Sequence, residues 1–248
     1  MDLKLKAAFE ELFVKYFPGA ELPIVFFYSN EPSAGMKAEP PAKGWRCFIA
    51  DLARARKGVS LCLEEPALGC GKRFCGFPVP LRPDFEHFLA KGIPGRLEGE
   101  RYKKTAGIVK QLLQNTPAWR APGKYLVIKR WDGMAGTDRP EAAIFFAKPD
   151  VLSGLFTLAN YEETDPWGVV APFAAGCGSV IQYPFLENQK ENPKCVLGLF
   201  DVSARPCVGA DELTFAAPMR KFARMIDNIE ECFVITRSWE KVRRRLPG

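Results

Sequence analysis

The chain has 248 residues, 47% of them hydrophobic, and a formal net charge of +6 from 35 basic and 29 acidic residues. That length can bury a substantial core in one large domain or two small ones, and so small a charge excess requires no nucleic-acid partner. The single histidine, His87, excludes any site needing two from one chain, and no apolar run approaches the ~20 residues that span a bilayer.

Leu5, Phe9, Leu12, Phe13 and Tyr16 recur at helical spacing, so residues 3–17 read as an amphipathic helix that Pro18-Gly19 stops. Pro23–Tyr28 reads as a buried strand and 29–43 as a polar, proline-rich loop. Residues 46–56 follow as a helix ended by Gly58, then a strand over 59–63. Helices are predicted over 83–91 and 101–114, the first carrying His87 off its Phe85/Phe88 stripe. Strands are predicted over 125–129 and 142–147, and a proline-led helix over 149–159. Val169–Ala175 reads as helix, Val180–Tyr183 and Cys195–Phe200 as strands, Met219–Asn228 as helix and Cys232–Thr236 as a last strand. Helices and strands alternate throughout, which predicts an α/β or interleaved α+β class in a single domain, 1–248. The basic run Lys241–Arg245 reads as a solvated tail.

The two halves echo each other. Pro23–Tyr28 resembles Ala142–Ala147; Trp45 and Trp167 each precede a helical segment, a glycine and a strand; Arg73-Phe74-Cys75 matches Arg205-Pro206-Cys207. The order predicts a pseudo-two-fold repeat relating 20–80 to 140–210, with a site between the Cys47–Cys75 and Cys177–Cys207 regions.

Four of the eight cysteines fall within 29 residues, two of them in Gly69-Cys70-Gly71-Lys72-Arg73-Phe74-Cys75-Gly76-Phe77. The N-terminus lacks the apolar core of a signal peptide, so the expected location is the cytoplasm, where thiols stay reduced. Cys62, Cys195 and Cys232 sit in apolar strand patterns and read as core. Cys70, Cys75 and Cys177 have glycine neighbours, and Cys47 stands at a helix start beside Arg46, where dipole and cation favour a thiolate. Converging soft thiolates hold metals or iron–sulfur clusters, so Cys47, Cys70, Cys75 and Cys177 are the predicted ligands. None of these spacings is the close Cys-x-x-Cys pair of zinc ribbons or ferredoxins. Arg73 and Arg205, each two residues before a cysteine, are candidates for gripping an anionic group through the guanidinium fork. A structural pairing of Arg205 with Asp201 is the competing expectation.

Trp45-Arg46-Cys47, the helix ending at Gly58, and Cys70–Phe77 together resemble the first half of an uncharacterised bacterial and archaeal family, domain of unknown function 169. Ala142–Asp150, Ala174–Cys177 and Leu197–Arg205 resemble its second half, over roughly residues 20–235 in all. The chain departs from the pattern at Phe200-Asp201, where the family often carries a cysteine. The resemblance implies positions and no activity.

The function expected from these residues is a protein with a cysteine-ligated cofactor, an iron–sulfur cluster or a metal, serving a redox or small-molecule-activating role. The alternatives are a catalytically silent binder of a small, anionic molecule between the two halves, and thiol chemistry through Cys47 or Cys70. Neither a nucleic acid nor a membrane is an expected partner, and oligomeric state is left open.

Overall fold

The structure is a computed structural model that describes residues 2–32, 36–44 and 46–246. In chain order these form helix α1 (Leu3–Tyr16), strand β1 (Ile24–Ser29), α2 (Phe48–Arg56), β2 (Leu61–Glu64), α3 (Phe85–Phe88), the short strands β3 (Gly92–Ile93) and β4 (Leu97–Glu98), and α4 (Ala106–Asn115). Then come β5 (Tyr125–Arg130), β6 (Ala142–Ala147), α5 (Pro149–Ala159), β7 (Val169–Val170), a π-turn (Gly178–Gln182) running into α6 (Tyr183–Asn188), β8 (Cys195–Gly198), β9 (Leu213–Pro218), α7 (Met219–Asp227) and α8 (Arg237–Arg243). The class is α/β. No described helix is long and apolar enough to cross a membrane.

The chain divides into two compact units, residues 1–75 with 121–248, and residues 76–120. The larger contains a seven-stranded sheet in the order β2-β5-β1-β6-β9-β8-β7, antiparallel except for the parallel β7–β8 pair. Side chains alternate across a strand, so each sheet face has its own packing. Val25, Phe145, Phe215 and Ala217 face α1, α5, α7 and α8, where Phe9, Phe13, Leu155, Phe222 and Trp239 complete a core. On the opposite face α2 lays Arg56 over the Phe146 ring at 4.4 Å, and Tyr28 meets Phe185 of α6 edge-on at 5.7 Å. The unit is therefore helix–sheet–helix. In the smaller unit, β3 and β4 pair as a hairpin and Thr105 caps α4 by accepting the Ile108 N–H.

Strand order follows one path in each half: β1 to β2 to β5 gives β2-β5-β1, and β6 to β8 to β9 gives β6-β9-β8. The shared order falls short of the expected duplication, because α2 alone links β1 to β2, whereas α5, β7, the π-turn and α6 link β6 to β8. Trp45, on which part of the correspondence rested, lies outside the described residues.

Several local expectations are corrected. The helix expected over Val169–Ala175 gives way to β7, which pairs with Cys195 and Val196 ahead of Pro172. The strand expected over Val180–Tyr183 is the π-turn, since a short apolar run reads equally as buried strand or buried helix. The last strand, 232–236, is a 3-10 turn over Phe233–Ile235. The helix expected from Arg101 begins at Ala106, because Arg101 is left-handed (φ 58°).

One buried ion pair ties β5 to the loop after it. Lys129 Nζ donates to Asp138 Oδ2 at 2.8 Å, and the same oxygen accepts the Ala135 N–H at 2.8 Å; both side chains are buried. Lys129→Met leaves a buried carboxylate without its cation and is expected to cost about 3–5 kcal/mol in urea unfolding. Lys129→Met/Asp138→Leu recovers most of that loss, because desolvation offsets most of the pair's own attraction. A single variant within about 1 kcal/mol of the parent would show that the pair carries no such weight.

Candidate functional site

Cys47 stands at the N-cap of α2 in extended conformation and makes no side-chain cap bond. Arg46 is committed elsewhere: its Nε donates to Asp51 Oδ1 at 2.8 Å, within the first turns of the helix. The turn 69–71 presses against this start. The Cys70 N–H donates to the Arg46 carbonyl at 3.1 Å. A Cβ at Gly69 (φ +56°) would stand 2.4 Å from that carbonyl oxygen, and one at Gly71 would stand 2.8 Å from the Phe48 side chain. Glycine at both places is what lets two backbones approach this closely.

The approach brings thiols together. Cys70 meets the Cys47 thiol and the Phe48 N–H; burial of its sulfur raises the pKa, the N–H lowers it, and the neighbouring thiol raises it, for a net rise. Cys70 is exposed as a residue, and its sulfur is partly covered. From the far end of the chain Cys207, in the turn 205–207, also meets Cys47; burial first, then the Cys47 thiol, pushes its pKa up to about 11. Cys47, Cys70 and Cys207 are the three cysteines that are not buried.

Cys75 and Cys177 are buried, and burial raises both thiols well above the ordinary range. Each feels the charge of Cys70, and Cys177 also that of Cys75. The Cys75 carbonyl accepts the Tyr28 hydroxyl at 2.9 Å. Cys177 opens the π-turn, and a Cβ on the next residue, Gly178, would touch the Phe74 ring at 3.3 Å. Turn 73–75 and the π-turn are thus packed together. Cys62 and Cys195 are fully buried in strands, and Cys232 donates to the Ile229 carbonyl at 3.3 Å.

The arginines part company. Arg205 donates to the carbonyls of Glu212, Gly209 and Ala210, so it braces the turn that carries Cys207 and makes no pair with Asp201. Arg73 is exposed and makes no ion pair or side-chain hydrogen bond among the described residues. Asp201, where the resemblance expected a cysteine, accepts the Gly176 N–H at 3.0 Å and the Ser203 hydroxyl at 2.8 Å. It ties the segment before Cys177 to the one before Cys207.

The structure therefore brings Cys47, Cys70, Cys75 and Cys177 into one neighbourhood and adds Cys207, which was not among the predicted ligands. The signal for it was present in the matched Arg-x-Cys spacing of 73–75 and 205–207. Among the described residues no three of Cys, His, Asp and Glu converge closely enough to hold one metal ion.

A family model described as uncharacterised ArCR, domain of unknown function 169, matches residues 19–228. The chain belongs to this family. All five neighbouring thiols lie inside the matched ArCR region. No curated protein and no solved structure matches the chain.

Proposed function

We propose that this ArCR protein carries a thiolate-bound cofactor, an iron–sulfur cluster in preference to a single metal ion, in a redox or small-molecule-activating role. The supporting observation is that the Cys47 thiol meets both Cys70 and Cys207, which arrive from separate segments, with Cys75 and Cys177 behind them. The set is all sulfur, the donor type that favours iron–sulfur clusters and soft metals. A closed one-ion site of the structural-zinc type does not fit, since no three ligands converge among the described residues. In a cluster the thiolates ligate different irons, so their sulfurs need a common neighbourhood and not a common point. Cys47, Cys70 and Cys207 would hold the group, and when bound it would supply one-electron transfer. Arg73, which makes no ion pair among the described residues, would attract an anionic ligand, whereas its neighbour Lys72 pairs with Glu65 at 2.6 Å.

A binding pocket between halves has less behind it. A small gap in the α1 layer is lined by apolar side chains, among them Phe9, Phe13, Leu155 and Phe222, on the sheet face away from the thiols. It offers no polar group to orient an anion.

Anaerobic reconstitution with ferrous iron and sulfide tests the proposal. The wild type is expected to retain iron and acid-labile sulfide with broad visible absorption. Cys47→Ser, Cys70→Ser and Cys207→Ser each lose most of it, and Cys62→Ser keeps it. A folded wild type that retains neither element, or equal loss in Cys62→Ser, would sink the proposal.

A further inference from the structure

Cys47 is the shared neighbour of two thiols that are not fully buried, Cys70 and Cys207, and the fold builds both approaches. One rests on the Cys70–Arg46 backbone bond and the glycines that permit it, the other on the Arg205-braced turn, which the Arg56–Glu212 ion pair at 2.8 Å ties to α2 and whose Ala204 packs with Ile49 of α2 around Gly176. Cysteines carried on backbone segments that pack side by side can be bridged with little backbone movement. We infer that the cofactor-free protein is a thiol–disulfide exchange site for low-molecular-weight disulfides, with Cys47 as the sulfur attacked by either of two resolving thiols, Cys70 and Cys207.

The chemistry closes without any other reagent. The Cys47 thiolate attacks one sulfur of a small disulfide, its S–S bond breaks, and one small thiolate leaves with the electron pair. Cys70 or Cys207, giving up its proton, then attacks the Cys47 sulfur of the mixed disulfide and expels the second small thiolate. Two protein thiols are oxidised to one disulfide. The small disulfide is reduced to two thiols, which take up the protons that the cysteines released. Two resolving thiols give the site two alternative bridges, 47–70 within one packed pair of turns and 47–207 across the chain. In either bridged form Cys47 is withdrawn from cofactor binding, so exchange and cofactor binding compete for the same sulfur.

The inference stands apart from the cofactor proposal, and its test separates the two. The full chain without cofactor is equilibrated anaerobically with mixtures of oxidised and reduced glutathione, quenched in acid, alkylated and peptide-mapped by mass spectrometry. The expected wild-type product is a bridge that always contains Cys47. Cys70→Ser moves the bridge wholly to 47–207, Cys207→Ser moves it wholly to 47–70, and Cys47→Ser abolishes bridging. A wild type that stays fully reduced, stops at mixed disulfides with glutathione, or bridges Cys70 to Cys207 while sparing Cys47 would overturn the inference. If Cys47→Ser fails to give a cooperative thermal melt, the wild-type map and the two other variants still decide it. Bridging without iron uptake removes only the cofactor proposal; iron uptake without bridging removes only this inference.

Discussion

Above about pH 8.5, where an unfolded thiol ionises, this protein is expected to lose stability at several kcal/mol per pH unit. Cys75, Cys177 and Cys195 are buried, and burial raises each thiol, Cys195 to about 12. Between the unfolded and folded pKa values the native chain keeps protons that the unfolded chain has released, so stability falls as pH rises; below the unfolded value the contribution is fully present. Each such thiol contributes a slope of about 1.4 kcal/mol per pH unit, and three together about 4. Burial also raises Tyr28, which joins above its own unfolded pKa of about 10. Against a total stability of about 5–15 kcal/mol, unfolding follows within roughly one to four pH units. Urea unfolding at a series of pH values reads the slope directly, under reducing conditions so that no disulfide interferes. Cys195→Ala makes the slope shallower by about one thiol's worth, whatever it does to stability at neutral pH. A flat profile between about pH 8.5 and 10 would mean that these thiols ionise without unfolding the chain.

Gly69→Ala is expected to separate Cys70 from Cys47. The new methyl meets the Arg46 carbonyl oxygen at 2.4 Å, backbone against backbone, so no side chain can swing aside to admit it. The left-handed conformation adds about 1–2 kcal/mol for any residue with a Cβ. Gly95→Ala isolates that second cost, because Gly95 has φ +70° and nothing within 4 Å of a built Cβ. Gly69→Ala should therefore destabilise more than Gly95→Ala and, unlike it, raise the alkylation rate of Cys70 several-fold as its sulfur loses cover. Under glutathione oxidation it should favour the 47–207 bridge over the 47–70 bridge. Equal effects of the two substitutions on stability and on Cys70 reactivity would show that the close approach at Gly69 does not position Cys70.

The elements legible in the sequence are those whose own pattern decides them. Helix α1 carries a helical stripe ended by Pro-Gly, and β1, β5 and β6 are apolar runs bounded by turns. The strand setting of Cys62 and Cys195 placed them in the core, and glycine neighbours singled out Cys70, Cys75 and Cys177. What was missed depends on partners. Strand β9 (Leu213–Pro218) is a short mixed run, Leu-Thr-Phe-Ala-Ala, closed by proline, and it is a strand because it lies between β6 and β8 and is buried along nearly its whole length. At the π-turn, Ser179 donates to the Gly176 carbonyl and accepts the Leu199 N–H, a tertiary tie that turns an ambiguous Val-Ile run into helix. Cys207 has no glycine at its side, and only the return of the chain beside α2 brings it to Cys47. The competition between carboxylates and carbonyls for Arg205 was likewise undecidable before the 209–212 turn was in place.

The order of strands also sets a timetable for synthesis. Strand β1, with the apolar sequence Ile-Val-Phe-Phe-Tyr-Ser, lies between β5 and β6, both of which are translated about a hundred residues later. Until they emerge, both of its edges are open to another chain, the arrangement from which aggregates grow. Cys47 and Cys70 leave the ribosome long before Cys207, so the nascent chain carries two accessible thiols without their third neighbour. A chaperone that shields the first seventy-five residues would protect this interior strand and the unfinished thiol site together. Slowing translation after Cys75 should raise the insoluble fraction, whereas slowing it after β9 should not.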